Sequence, residues 1–138
     1  MELVRIFFDA NILISAIVYD GNELETILRS TNAGHTIVIS DHIEEEIFRV
    51  MLEKFPEHSK LFHEFIGMAG FEVVPREIYI NNLDDYNIVR DKHDRHVLAC
   101  AYLTKCNVIV SGDKDLYKLK KFKNIQILKS TEYLKMLK

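Results

Sequence analysis

A few acidic residues, far apart in the chain, have the settings from which a cation-dependent site could be built. Asp9 interrupts the apolar run "VRIFFDANILISAI" (Val4–Ile17), between a strand-like stretch and a helix-like one. Asp113 directly follows the strand-like "NVIVSG", and Asp91 and Asp94 stand three apart at the start of the helix-like "RDKHDRHVLACA". Glu44, Glu45 and Glu46 are separated by helical geometry. At about 100° per residue, Ile43, Ile47, Val50 and Met51 make one apolar stripe, with Glu45 opposite it and Glu44 and Glu46 at its two edges. Glu45 should be solvated, whereas either edge residue can reach a site beside a sheet. Taken singly, each aspartate has a simpler role as a helix cap or a partner of the helix dipole. Taken together, carboxylates within a few ångströms of one another repel, and their pKa values rise unless a cation neutralises them. An all-oxygen set suits Mg²⁺ or Mn²⁺. Such an ion can activate water and stabilise charge developing on a phosphodiester.

The elements that must position these acids are legible as alternating short apolar runs and amphipathic stretches. Strands are expected at Leu3–Phe8, His35–Ser40, Phe71–Pro75, Asn107–Ser111 and Ile125–Leu128. Between them lie an apolar segment from Asn11 to Val18 and a turn at Asp20–Asn22. An amphipathic helix follows, stopped by Gly34. The next helix is capped by Ser40 or Asp41, with Asp41 and Glu44 at capping-box spacing, and Pro56 ends it. Another helix closes near Gly70, and Arg76 to Arg90 reads as a loop with a short helical piece. Asp94 to Lys105 is a strong helix, with Val97, Leu98, Ala101 and Tyr102 at helical spacing. A short lysine-rich helix follows Asp113, and a last helix starts near Thr131. This alternation predicts an α/β fold of three layers, with a central, mainly parallel sheet of four to five strands. In such sheets ligands bind beyond the carboxyl ends of the strands, where Asp9 and Asp113 fall.

At 138 residues the chain fits one domain, residues 1–138, and its 48% hydrophobic and 28% charged residues are those of a soluble globular protein. Its longest apolar runs are broken by Arg5, Asp9 and Asn11, so no transmembrane span is expected. A secretory signal pattern is absent, and Cys100 and Cys106 read as buried thiols, which together suggest a cytoplasmic setting. Charge is uneven. Residues 1–85 hold 6 Lys/Arg against 16 Asp/Glu, and residues 86–138 hold 12 against 5, which gives balances of −10 and +7. A basic carboxyl half beside acidic motifs suits a polyanionic partner. Phosphate-cradling glycine loops and a nucleophile elbow are missing, and Tyr19, Tyr86 and the phenylalanines form no evident base-stacking platform. His93 and His96 have i, i+3 spacing without a nearby cysteine, a weak zinc signal.

The segments "FFDANILISA", "ISDHIEEEIFRVM", "RDKHDRHVLACA" and "VIVSGDKDL", in this order, resemble the PIN-domain family across nearly the whole chain. Within it the chain looks most like toxin components of toxin–antitoxin systems related to the VapC-type toxins. The resemblance implies a metal-dependent ribonuclease that leaves a 5′-phosphate and a 3′-hydroxyl. It places the four catalytic and metal-holding acids on Asp9, Glu46, Asp94 and Asp113, with Asp115 as an auxiliary ligand. Asn11 and Ser111 fall on supporting polar positions. Arg90, Lys92, Arg95, Lys114 and Lys118, with Lys120 and Lys121, are the side chains that can hold an RNA backbone. An antitoxin protein and a second copy of the chain, in a homodimer or higher homo-oligomer, are the partners it implies. Competing readings are a housekeeping RNA-processing nuclease and a non-catalytic RNA- or partner-binding module. A phosphatase with Asp9 as nucleophile would need a second Asp where Asn11 stands.

Overall fold

A computed structural model describes residues 2–19 and 21–137. Asp20, part of the expected turn at Asp20–Asn22, lies outside them. The chain runs β1 (Arg5–Phe8), α1 (Ala10–Val18), α2 (Asn22–Asn32), β2 (Thr36–Ser40), α3 (Asp41–Lys54), α4 (Ser59–Ala69) and β3 (Glu72–Val74). It continues through 3₁₀ segments at Arg76–Ile78 and Ile80–Tyr86 to α5 (Lys92–Leu103), β4 (Val108–Val110), α6 (Lys114–Leu119), β5 (Lys121–Phe122), β6 (Ile125–Leu128) and α7 (Ser130–Met136). The sheet order is β3-β2-β1-β4-β6-β5, and every pairing is parallel except β5 with β6. The fold is a three-layer α/β/α arrangement around a mostly parallel sheet. Helices α1, α2, α3 and α7 pack on one another, and α5 packs on β1 and β2 together with the longer 3₁₀ segment.

All five expected strands are present, and a sixth joins them. Strand β5 has only two residues, too few to show a period, and it forms a hairpin with β6 through Lys123 in the left-handed region (φ 53°). Helix α5 begins at Lys92 rather than Asp94, because Asp91 is its cap and accepts the backbone N–H of His93 (2.7 Å). Asp94 is thereby moved into the first turn and buried.

The core is a continuous apolar cluster that includes Ile6, Phe7 and Phe8 of β1, Ile37 to Ile39 of β2 and Val108 to Val110 of β4. These three central strands are covered on both faces, so their sequences are nearly unbroken apolar runs. At β2 the chain turns directly into α3. Ser40, fully buried, accepts the N–H of Ile43 (3.1 Å) and caps the helix. Asp41 is released from capping and instead accepts the Tyr79 hydroxyl and the N–H of Arg76 (2.8 Å). Ser40→Ala is expected to cost about 1–2 kcal/mol through the lost cap, measured as a lower midpoint in urea unfolding.

Ile43, Ile47 and Met51 of α3 are buried, Val50 is half-buried, and Glu45 is exposed in an ion pair with Arg76 (3.3 Å). Cys100 and Cys106 are buried free thiols, and burial raises both pKa values. Among the described residues, no helix is long and apolar enough to cross a membrane.

Candidate active site

Strand order reverses between β1 and β4. From β1 the chain winds one way to β2 and β3, and from β4 it winds the other way to β6. The loops leaving such adjacent strands part in opposite directions and open a crevice at their carboxyl ends. Asp9 leaves β1 there, and Ser111 and Asp113 leave β4. The backbone N–H of Asp9 still donates to Val110 (3.0 Å), which holds the two strand ends together.

Asp9 is 2% exposed, and its carboxylate is nonetheless fully engaged. Oδ1 accepts the N–H of Ala10 (2.8 Å) and lies 3.0 Å from Nε2 of His93, and Oδ2 accepts the Ser111 hydroxyl (2.7 Å). Burial pushes the Asp9 pKa up, but the hydrogen bond and charge of His93, with Ser111 and Ala10, more than offset it and hold the group below its ordinary value. The same bond to Asp9, against the cost of burial, raises His93 to about 9. Ser111 is itself buried and links two acids, since its Oγ also accepts the N–H of Asp113 (3.0 Å).

Asp94 has the opposite environment. It is 1% exposed, and its Oδ1 has no hydrogen-bond partner among the described residues. Burial first, then the neighbouring Asp113, Asp91 and Asp9, raise its pKa to about 7. One carboxylate oxygen from each of Asp94, Asp113 and Asp115 lies within 4.8 Å of the others. Asp113 also caps α6 by accepting the N–H groups of Asp115 (2.9 Å) and Leu116 (3.2 Å), so capping and clustering coincide in one side chain. A buried, unpartnered carboxylate oxygen beside two further carboxylates is the donor chemistry of a hard divalent cation, and the residues fit one.

Glu46 lies on the other flank. Its Oε1 is 3.5 Å from Nδ1 of His93, so His93 stands between Glu46 and Asp9. Glu46, rather than Glu44, is thus the helix-borne glutamate that the structure joins to this edge. Asn11 is exposed, and among the described residues no hydrogen bond connects its side chain to Asp9. The support expected from Asn11 comes instead from His93, Ser111 and the Ala10 N–H. Arg90, Lys92, Lys114, Lys118, Lys120 and Lys121 are exposed, whereas Arg95 is half-buried and donates from Nε to the Val89 carbonyl (2.9 Å).

His93 is the participant that sequence reasoning weighed only beside His96, as a weak zinc signal. Its pairing with His96 by spacing is not what the fold uses. His96 stacks on His42 (ring centroids 4.2 Å apart) with its Nδ1 buried and unpartnered, and burial lowers its pKa to about 4. A larger cleft of about 450 Å³ is lined by Cys106, Asn107 and Asn124, which precede β4 and β6. It therefore lies at the amino edge of the sheet, away from these acids.

A doubly wound α/β domain with acids gathered at its strand-order reversal is the class that fold and site define. The profile of the family described as "PIN domain" matches residues 5–115, and the chain belongs to that family. Among solved structures it is similar to the crystal structure of VapBC2 from Rickettsia felis bound to a DNA fragment from their promoter. That match has 15% identity and a TM-score of 0.64, covering 89% of this chain and 96% of that one. No curated protein sequence matches it.

Proposed function

We propose that this chain is a divalent-metal-dependent endoribonuclease and the toxin component of a toxin–antitoxin pair. The observation that carries the reading is the unpartnered, buried Oδ1 of Asp94 beside Asp113 and Asp115, one hydroxyl bridge away from Asp9. Asp94, Asp113 and Asp115 would hold Mg²⁺ or Mn²⁺, with Asp9 joined to them through Ser111 and Glu46 approaching from the other side of His93. When bound, such an ion supplies Lewis acidity toward a phosphodiester and lowers the pKa of water.

The rest is done by the chain. Ser111 donates to the Asp9 carboxylate and accepts the backbone N–H of Asp113, which orients Asp9 and ties it to the loop that carries Asp113. His93 holds Asp9 from the other side and keeps it ionised. Asp94, raised to about 7 by burial and the neighbouring acids, is the carboxylate whose charged form a bound cation would stabilise most. Exposed Arg90, Lys92, Lys114 and Lys118 supply positive charge toward an RNA backbone. Cleavage leaving a 5′-phosphate and a 3′-hydroxyl, an antitoxin partner, a homodimer and a cytoplasmic location belong to this reading, which draws on the PIN family and on the likeness to a VapBC structure.

The test is cleavage of a mixed RNA pool across Mg²⁺ and Mn²⁺ titrations by wild type and Asp9→Asn. Loss of at least about 100-fold in the variant, and complete loss in EDTA, is expected. Robust cleavage by a clean preparation of the variant, or in chelator, removes the nuclease reading. Growth arrest on expression, relieved by a small neighbouring gene product, separates a toxin from a housekeeping processing enzyme.

A further inference from the structure

On the far side of His93 from the aspartates, a second set of donors converges. His42 and Glu46 lie four residues apart on α3, one turn apart on the same face. Helix α5 brings His93 against both. Its Nδ1 lies 3.3 Å from Nε2 of His42 and 3.5 Å from Oε1 of Glu46, and one ligand atom from each of the three lies within 4.8 Å of the others. Two donors that are each about 2.0–2.1 Å from a tetrahedral ion stand about 3.3 Å apart. The two contacts of Nδ1 already have that spacing.

The rings are also held in a ligating attitude. Nε2 of His93 is engaged by Asp9 (3.0 Å), which leaves Nδ1 facing His42 and Glu46. A carboxylate behind an imidazole is the arrangement that orients metal-binding histidines. The His42 ring is fixed by its stack on His96, with an interplanar angle of 28°. Nearby cations are turned to other acids, Arg49 to Glu53 (3.7 Å) and Arg76 to Glu45 (3.3 Å). A cleft of about 240 Å³, lined by His42, Glu45, Glu46 and Arg49, gives an ion a way in.

We propose that His42, Glu46 and His93 form a second metal site, selective for a nitrogen-preferring divalent ion of the Zn²⁺ class over Mg²⁺. Two imidazoles and one carboxylate are a borderline donor set, whereas Mg²⁺ favours an all-oxygen one. Occupancy ties up Glu46 and fixes His93 against Asp9, so a Zn²⁺-class ion restrains the neighbouring carboxylate site. That regulatory consequence rests on the nuclease reading, and the site itself does not.

Co²⁺ titration of the full chain in excess Mg²⁺ tests it, read by the visible absorption of the bound ion and by calorimetry. One equivalent is expected to bind with a nitrogen-ligand spectrum and to be displaced by Zn²⁺ but not by Mg²⁺. His42→Ala should lose the band, and Asp9→Asn should bind about ten- to a hundredfold more weakly because the His93 ring loses its anionic partner. Circular dichroism checks folding, and His42→Gln serves if the alanine variant fails to fold. Displacement by Mg²⁺, or a wild-type spectrum in a folded His42 variant, overturns the proposal. A chain that binds Co²⁺ in this manner yet cuts no RNA keeps the metal site and loses the nuclease reading.

Discussion

Replacing Asp94 by asparagine is expected to raise the thermal stability of the metal-free protein while abolishing RNA cleavage. The wild-type carboxylate is 1% exposed, its Oδ1 is unpartnered, and Asp113 and Asp115 approach it within 4.8 Å. An asparagine of the same shape removes the buried charge. Its amide nitrogen also gives those two carboxylates a donor, in place of a third anion. The unfolded chain ionises Asp94 near 3.8 and the folded one near 7. As pH rises from about 4 to 7, the unfolded state releases the proton that the folded state keeps, so wild-type stability falls across that window and stays low above it. Each pKa unit is worth about 1.4 kcal/mol, and with solvent screening by the exposed edge of the cluster a penalty on the order of 2 kcal/mol at pH 8 is expected. For a chain of this size that is about 5 °C or more in Tm.

The same substitution should reverse the response to metal. Wild type is expected to gain Tm on addition of Mn²⁺ in proportion to RT ln(1 + [L]/Kd), and Asp94→Asn to gain little. Differential scanning calorimetry at pH 8 in EDTA, with and without excess Mn²⁺, measures both effects. A variant less stable than wild type in EDTA, or one stabilised by Mn²⁺ as strongly as wild type, would show that the cluster is not a strained cation site.

What was readable beforehand divides along physical lines. The five parallel strands are legible because buried strands must be short apolar runs, and Asp9 and Asp113 stand out because they end two of them. Strand β5 carries no such mark, since two residues have no pattern and its pairing depends on a left-handed turn at Lys123. Helix α3 shows the limit of periodicity. Angles alone rank Glu45 as solvated but leave Glu44 and Glu46 level, and only the position of α5 brings His93 to Glu46. His93 is the hardest case. Its partners Asp9 and His42 lie 84 and 51 residues upstream, and nothing local distinguishes an imidazole that bridges two elements from one on a surface. Asn11 makes no hydrogen bond to Asp9 among the described residues for the converse reason. Nearness in sequence to Asp9 placed it in α1, where its side chain is exposed, while Ser111 reaches Asp9 from 102 residues away.

On the nuclease reading Asp9→Asn is expected to abolish cleavage, as Asp94→Asn is, yet to shift stability in the opposite direction. The Asp9 carboxylate sits in a favourable field. It is buried, with one oxygen beside the His93 imidazole and the other accepting the Ser111 hydroxyl. An asparagine can keep one acceptor toward His93, but its amide group then faces Ser111 Oγ, which already accepts the Asp113 N–H. It also leaves His93 without its anion. Breaking a fully buried pair by removing one partner costs about 3–5 kcal/mol, and because His93 is 25% exposed a smaller cost, about 2–3 kcal/mol, is expected. The pair contributes where both members are charged. Its share from Asp9 is present above about pH 4 and is lost as pH falls through the lowered folded pKa. Its share from His93 is full below 6.5 and is lost as pH rises through about 9. The stability gap between wild type and Asp9→Asn in EDTA should therefore be widest near pH 5–6 and narrow toward pH 9, measured by urea unfolding at a series of pH values. A gap that does not change with pH would mean that His93 carries no charge at this site. Opposite effects of these two substitutions on folding, at one edge of the sheet, would distinguish a carboxylate whose partners the fold supplies from one whose Oδ1 is left without any.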